Sequence, residues 1–451
     1  MMNAVQSQLV TLSGVHASRL GNEREIYVYL PEGYDSEPSM RYPVLYMHVG
    51  QHVFEPSKPS GESWAMHRVA ERLIAEGLIR PLIIVAVEHK YEEGTSEYFH
   101  ELCAYPIRCL GESYEHFLIE ELKPLVDRTL RTLPEPENTA LMGSSAAGIA
   151  TYNIGLRNPD TFGMLGILSP FFVQVNPDTL AETLQYRFYP VNAGQKIWLD
   201  IGGAEGFFMP EHVRTVAEGM LQRGMTQEDE LYYFMDGQAA HSERDWNRRA
   251  HMPLVHFFGT KGAPTGVELQ GPDVVGIEGP QLFLNAVVSL SNGLSYSDLQ
   301  GEYRIEDSGI LEVEPNGRLR PKKVGATRVY YRCGSLEASR EIAVTDRLSG
   351  TVEVEIEIRV PESTPDDAAV YATFEVPKRG KGLYAGTMHL PRGLIFDFLI
   401  TRGYDKEEVD RDYGQIPYRR LVADEDKKVV YTVENWIDLR TEAAQERNDR
   451  Q

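Results

Sequence analysis

The stretch ALMGSSAAGIA, residues 140–150, decides how the first half of the chain is read. A short apolar run ends at Gly143, two serines follow, and small residues then lead into the helical pattern of AAGIATYNIGL. This is the pattern of a strand, a tight turn and a helix. A side chain on such a turn stands at the carboxyl end of a strand, where α/β sheets place their reactive groups. Strand and helix press against the turn, so small residues are needed around it. Gly143 and Gly148 meet that need, and Ala147 is the next smallest choice where a third glycine would fit more easily. Ser145 has the spacing from Gly143 that the turn requires, and Ser144 is its rival.

Outward from this stretch, strand-like and helix-like pieces alternate from residue 1 to about 262. REIYVYLP sets Ile26, Val28 and Leu30 on one face of a strand. YPVLYMHVG and PLIIVAVE are nearly continuous apolar runs, as expected of strands covered on both faces. In SYEHFLIEELKPLVDRTL, the residues Tyr114, Phe117, Leu118, Leu122 and Leu125 recur at helical spacing. Further strands read at TALMG, KIWLDIG and ELYYFMDG, and further helices near 211–224 and 244–258. Alternation of this kind predicts a mostly parallel sheet flanked by helices over residues 1–262.

The rhythm changes after the linker GTKGAPTG, residues 259–266. Strand alternation and turn signals then dominate. TVEVEIEIRVP turns Val352, Val354, Ile356, Ile358 and Val360 one way and its charged residues the other. A second boundary falls at TDRLSG, residues 345–350. The expectation is two small antiparallel β-sandwiches, 265–346 and 350–440, followed by a polar, flexible tail over 441–451. A chain of 451 residues has room for roughly two to four domains.

Composition narrows the function classes. The formal charge is −22, which argues against nucleic acid or an anionic membrane surface as partner. No window approaches the ~18 uninterrupted apolar residues of a membrane helix. No signal peptide is visible at the N-terminus, so the expected compartment is the cytosol, or the exterior if the first residue marks a processed end. Cys103, Cys109 and Cys333 match no metal-ligand spacing. Three thiols are the default expectation, with a Cys103–Cys109 bridge left open. His48 and His52 lack a third ligand, so no metal site is expected, and no cofactor.

The chemistry-bearing residues follow the chain order of a hydrolytic triad: serine on the turn after a central strand, acid after a later strand, histidine after the last. Ser145 follows TALMG, Glu205 follows KIWLDIGGA, and His241 follows ELYYFMDGQAA. A serine hydroxyl is a weak nucleophile until a base takes its proton, the role read for His241. Glu205 would hold the imidazole in one tautomer, with Asp200 and Asp236 as rival acids. An oxyanion needs two N–H donors, and the amide of Ala146 is the natural first. The loop MHVGQHVF is the natural source of the second.

These stretches resemble the putative-esterase (esterase D / enterochelin esterase-like) family of α/β hydrolases over residues 24–260. The likeness rests on REIYVYLPEGY, RYPVLYMHVGQHVF, LIRPLIIVAVEH with SEY, FLIEELKPLVD, ALMGSSAAG, FGMLGILSPFF and HSERDWNRRAHMPLVHFF. The resemblance implies a serine esterase with Ser145, Glu205 and His241 as triad, and the backbone amides of Ala146 and Gln51 as oxyanion donors. Trp64, Tyr98 and His52 would shape a substrate pocket. The substrate implied is a small-molecule or glycan-linked ester. Three departures stand out: Val49 where the family has aspartate, Ala147 for glycine, and no arginine shortly before Glu97-Tyr98. Downstream, ILEVEPNGRLRPKKVGATRVYYRCGSLEASREIAV resembles a bacterial Ig-like group 2 domain. LPRGLIFDFLITRGYDKEEVDRDYGQIPYRRL with VYTVENWID resembles a starch-binding-like module, with Tyr404 and Tyr418 in place of the usual residues. Trp436 reads as a core anchor of that module rather than a sugar platform. Glycan binding, oligomerisation and capping of the site are all open roles for these modules. Two other readings of the whole chain stand beside esterase: an acyltransferase using the same triad, and a modular binding protein with a degenerate hydrolase domain.

Overall fold

The computed structural model describes residues 7–56, 63–92, 94–101, 107–175, 181–206, 208–403 and 406–439. Cys103, Tyr404 and the tail expected over 441–451 lie outside them. An eight-stranded sheet organises the first 260 residues. Its strands are β1 (Gln8–Ala17), β2 (Asn22–Leu30), β3 (Val44–Met47), β4 (Ile83–Val87), β5 (Thr139–Ser144), β6 (Met164–Pro170), β7 (Lys196–Gly202) and β8 (Leu231–Asp236), in the order β1-β2-β4-β3-β5-β6-β7-β8. The pairs β1–β2 and β2–β4 are antiparallel, and the pairs from β4 through β8 are parallel. β3 and β4 are buried at every position. That is why their sequences run apolar without alternation.

The helices are α1 (Met66–Ala75), a long helix α2 over 111–129 with a π-type stretch at Phe117–Leu122, α3 (Ser145–Arg157), α4 (Phe208–Gln222), α5 (Glu243–Arg249) and α6 (His251–Phe258). α1 buries Met66, Ala70 and Leu73, one stripe of a 3.6-residue period. α3 is buried from Ala147 to Leu156, because it passes under the sheet's centre. α5 starts at Ser242, whose hydroxyl accepts from the Asp245 amide at 3.3 Å. Two apolar clusters flank the sheet. One joins Val28, Val85, Leu141, Ile149 and Ile167. The other joins Leu45, Ile84, Met142 and Trp198, and continues into Leu269, Val288, Tyr331 and Ile342 of the strand-rich segment that follows.

That segment holds β9 (Pro264–Gln270), β10 (Val274–Glu278), β11 (Asn285–Leu290), β12 (Ser295–Ser297), β13 (Glu302–Ile305), β14 (Gly325–Cys333) and β15 (Leu336–Arg347). They form sheets β9-β11-β12 and β10-β15-β14-β13. β12 lies along the otherwise open edge of β8. There the Ser297 hydroxyl accepts from the Met235 amide at 2.9 Å and Asn285 Nδ2 donates to the Met235 carbonyl at 2.9 Å. An exposed edge strand is thereby covered. The C-terminal region contains β16 (Thr351–Arg359), β17 (Lys378–Gly380), β18 (Leu383–Pro391), β19 (Ile395–Phe398), β20 (Arg419–Val422) and β21 (Lys427–Thr432), with the sheet order β17-β18-β16-β21. Its cluster of Val352, Val354, Ile356, Ile358 and Trp436 is separate from the other two. Two pairings depart from the antiparallel expectation. β10 runs parallel to β15, and β16 runs parallel to β21. Both pairs join segments far apart in sequence, where no hairpin turn imposes direction.

Candidate active site

β5 ends at Ser144, and Ser145 opens α3 with φ +57°. Left-handed backbone is costly for a residue with a Cβ, and such residues concentrate where a side chain must be presented on a tight turn. The small residues around it have separate reasons. A Cβ at Gly143 would stand 2.7 Å from His48 Cδ2 and 2.8 Å from the Ala147 carbonyl oxygen. A Cβ at Gly148 would stand 2.9 Å from the Leu168 carbonyl oxygen. The helix thus rests on β6 through Gly148, and Ala147 is accommodated with 2% exposure.

Glu205 lies just past β7, and His241 lies past β8. Glu205 Oε2 is 2.7 Å from His241 Nδ1. The other oxygen of Glu205 accepts from the Gly202 amide at 2.8 Å and the Ser169 hydroxyl at 2.7 Å. Burial pushes the Glu205 carboxyl up, but the charge and hydrogen bond of His241, the charge of Arg249 and the Ser169 hydroxyl outweigh it, so it titrates below its ordinary value. The rival acids have other partners. Asp200 is ion-paired with Arg249 at 3.0 Å and accepts from Trp198 Nε1 at 2.8 Å. Asp236 meets Arg248 at 3.4 Å. Ser145 bridges to Pro170, the neighbour of Ser169, so the serine turn and the acid's hydrogen-bond shell meet at the end of β6. The His241 side chain is 36% exposed, open to a ligand, and sits edge-on to Trp246 at 4.8 Å.

The loop after β3 is pressed onto β4. A Cβ at Gly50 would meet Ala86 backbone atoms at 2.8 Å. Val49 holds φ +53°, a strained conformation for a β-branched residue. The Gln51 side chain clamps the loop: its Nε2 donates to the His89 carbonyl at 2.7 Å and its Oε1 accepts from the His89 amide at 3.0 Å. Beneath, His48 Nδ1 lies 2.8 Å from the Tyr114 hydroxyl. Burial, helped by nearby His89, pulls the His48 imidazole down to about 3, leaving it neutral.

Of the pocket residues expected from sequence, Trp64 is 6% exposed and stacks on Trp246 with centroids 5.7 Å apart. His52 is half-buried, and its carbonyl accepts from the Trp64 amide at 3.1 Å. Tyr98 is buried under the loop, between His48, His89 and Tyr114. Glu97, next to Tyr98, is ion-paired from another strand. Arg24 on β2 donates to both Glu97 oxygens, Nη1 to Oε1 at 3.0 Å. Sequence reasoning overlooked Arg24, Ser169 and Arg249. Arg24 left a signal: it shares strand parity with Ile26 and Val28, so it had to point inward. Among the described residues no group of His, Cys, Asp and Glu is placed to hold a metal.

A mostly parallel sheet with a strained serine turn, an acid and a histidine at the carboxyl ends of its strands defines the α/β-hydrolase class. The chain belongs to the esterase family: the family described as "Putative esterase" matches residues 17–251, more than half of the chain. An endo-1,4-β-xylanase/feruloyl esterase of Xylanibacter ruminicola is 33% identical over 182 residues, 39% of this chain and 23% of that protein. The chain therefore matches about a quarter of that relative's length. The uncharacterized protein YbbA of Bacillus subtilis is 22% identical over 262 residues, 55% of this chain and 98% of its own. The structure of a ferulic acid esterase from Anaeromyces mucronatus, in complex with ferulic acid, is 19% identical with a TM-score of 0.43, covering 58% of this chain and 93% of that one.

Proposed function

We propose that the chain is a carboxylic ester hydrolase working through an acyl-enzyme on Ser145. The observation that carries this reading is the 2.7 Å pair of His241 and Glu205 past the ends of β7 and β8, in the same sheet whose β5 leads into a serine held at φ +57°. His241 Nε2 takes the Ser145 proton as Oγ bonds to the ester carbon, and the carbonyl oxygen becomes an oxyanion between the amides of Ala146 and Gln51. The intermediate collapses, the C–O bond to the alcohol breaks, and His241 returns the proton to the departing oxygen. Water, deprotonated by the same nitrogen, then releases the acid. Glu205, ionised at neutral pH, stabilises the imidazolium at each stage. The substrate class is a carbohydrate- or phenolic-linked ester, supported by the feruloyl esterase activity in the name of the Xylanibacter ruminicola relative. The strand-rich segments are read as an Ig-like module over 265–346 and a starch-binding-like module over 350–440. In the latter, Trp436 is fully buried and bonded to Thr364, which suits a core anchor.

The test is peptide mapping after exposure to a fluorophosphonate, beside p-nitrophenyl ester turnover by wild type and Ser145→Ala. One adduct on Ser145, with turnover lost in the variant, is expected. No adduct and no turnover would leave the chain a binding protein with a degenerate hydrolase domain.

A further inference from the structure

We infer that strand β19 of the C-terminal region is a positioning element for the acid–histidine pair, an inference that rests on the triad reading above. Contacts reach from β19 and the turn before it to the loop that carries Glu205 and to α5, which begins two residues after His241. The Ile395 amide donates to the carbonyl of Ala204 at 2.7 Å, and the Ala204 amide donates to the carbonyl of Ala239 at 3.1 Å. Glu205 is the next residue after Ala204, and His241 stands two beyond Ala239. One line of backbone hydrogen bonds therefore runs from β19 through the acid loop to the histidine loop. Arg244, three residues past His241, donates from Nη2 to Asp397 Oδ2 at 2.8 Å. Asp397 is itself held by Arg420 through Nε at 2.8 Å and Nη2 at 2.9 Å, and its side chain is 6% exposed. The turn before β19 also closes on the acid loop: a Cβ on Gly206, which has φ +93°, would stand 3.4 Å from Leu394 Cδ1.

Loops after strands are mobile unless something outside the sheet fixes them. A catalytic hydrogen bond must be held to about 0.5 Å, and a 1 Å displacement from a remote change costs up to roughly 10²-fold in rate. β19 touches the Glu205 loop directly and the start of α5 just past His241, while supplying no group to the reacting atoms. Its removal should therefore lower kcat without weakening substrate binding.

The experiment uses the full chain. Wild type is first labelled with a fluorophosphonate to establish Ser145 as nucleophile. Asp397→Asn, Asp397→Glu, Arg244→Gln, the double variant Arg244→Gln/Asp397→Asn and Ile395→Pro are then compared for kcat, KM and the rate of Ser145 phosphonylation. Asp397→Asn and Arg244→Gln should each lower kcat and the labelling rate about tenfold with KM within about twofold. The double variant should lose little more than either single, because both break one contact. Asp397→Glu should keep most of the rate. Ile395→Pro, which deletes the amide and leaves the charges in place, should match Asp397→Asn. Rates within about twofold of wild type for Arg244→Gln and Asp397→Asn would overturn the inference, as would a rise in KM with kcat intact. An unlabelled Ser145 in wild type would take down the triad reading as well, whereas the other failures overturn this inference alone.

Discussion

Arg249→Met removes the cation that two buried carboxylates share. Arg249 Nη2 donates to Asp200 Oδ1 at 3.0 Å and to the Ser169 hydroxyl at 2.8 Å, and the ion pair is 1% and 0% exposed. Breaking a buried pair by deleting one partner costs about 3–5 kcal/mol, since the remaining charge has neither water nor counterion. For a unit the size of the first 260 residues each kcal/mol lowers Tm by roughly 2 °C, so a drop of about 6–10 °C in the melting of that unit is expected near pH 8. The loss should depend on pH. Burial already raises the Asp200 carboxyl above its ordinary value, against the opposing charge and hydrogen bond of Arg249. A group raised in the folded state binds more protons there than when unfolded, so stability falls as pH rises through the folded value. Without Arg249 the carboxyl rises further, and the deficit is largest in base. The gap to wild type should therefore narrow as pH falls and Asp200 takes up a proton. Asp200→Asn/Arg249→Met should recover most of the loss, because the amide oxygen still accepts from Trp198 Nε1 and no uncompensated charge is left. Circular-dichroism melts of the three proteins at several pH values are the assay. A single variant melting within about 2 °C of wild type at pH 8, or a gap that widens in acid, would refute the reasoning.

Gly50→Ala should push the loop carrying Gln51 off β4, because its Cβ would meet Ala86 backbone at 2.8 Å. Loss of one oxyanion donor's alignment should cost about 10²-fold in kcat, read from p-nitrophenyl ester turnover. Gly148→Ala should destabilise by about 1–3 kcal/mol in denaturant titration, since its Cβ would stand 2.9 Å from the Leu168 carbonyl. Ala147→Gly, which restores the family's glycine, should cost no more than about 1 kcal/mol, the entropy of a helical glycine, and leave Ser145 labelling within severalfold of wild type.

The parts of the site written in local pattern were legible. β5, the small residues after it and the pattern of α3 place a turn at Ser145, and hydrophobic alternation fixes Ile26, Val28 and Leu30 on the inward face of β2. The acid was harder to read. Asp200, Glu205 and Asp236 all lie near the ends of β7 and β8, and only distance separates them: Glu205 alone stands against His241, while Arg249 and Arg248 occupy the other two. No one-dimensional pattern encodes that choice, because Arg249 comes 49 residues after Asp200 in the chain.

The supports were the least legible part. Ser169 sits in a run of apolar residues at the end of β6, and nothing in that run shows that its hydroxyl donates to Glu205 while accepting from Trp246 and Arg249. Its φ of +38° is a property of the assembled turn and not of the residue type. The same holds for Arg24 on β2, whose partner Glu97 lies 73 residues further along the chain. A bidentate arginine–carboxylate pair is made by geometry in space, so it leaves no local motif in the chain. Glu97 takes its hydrogen bonds from β2 and Glu205 takes one from β6, so the supports of the site are written in the assembled fold and not in any one stretch.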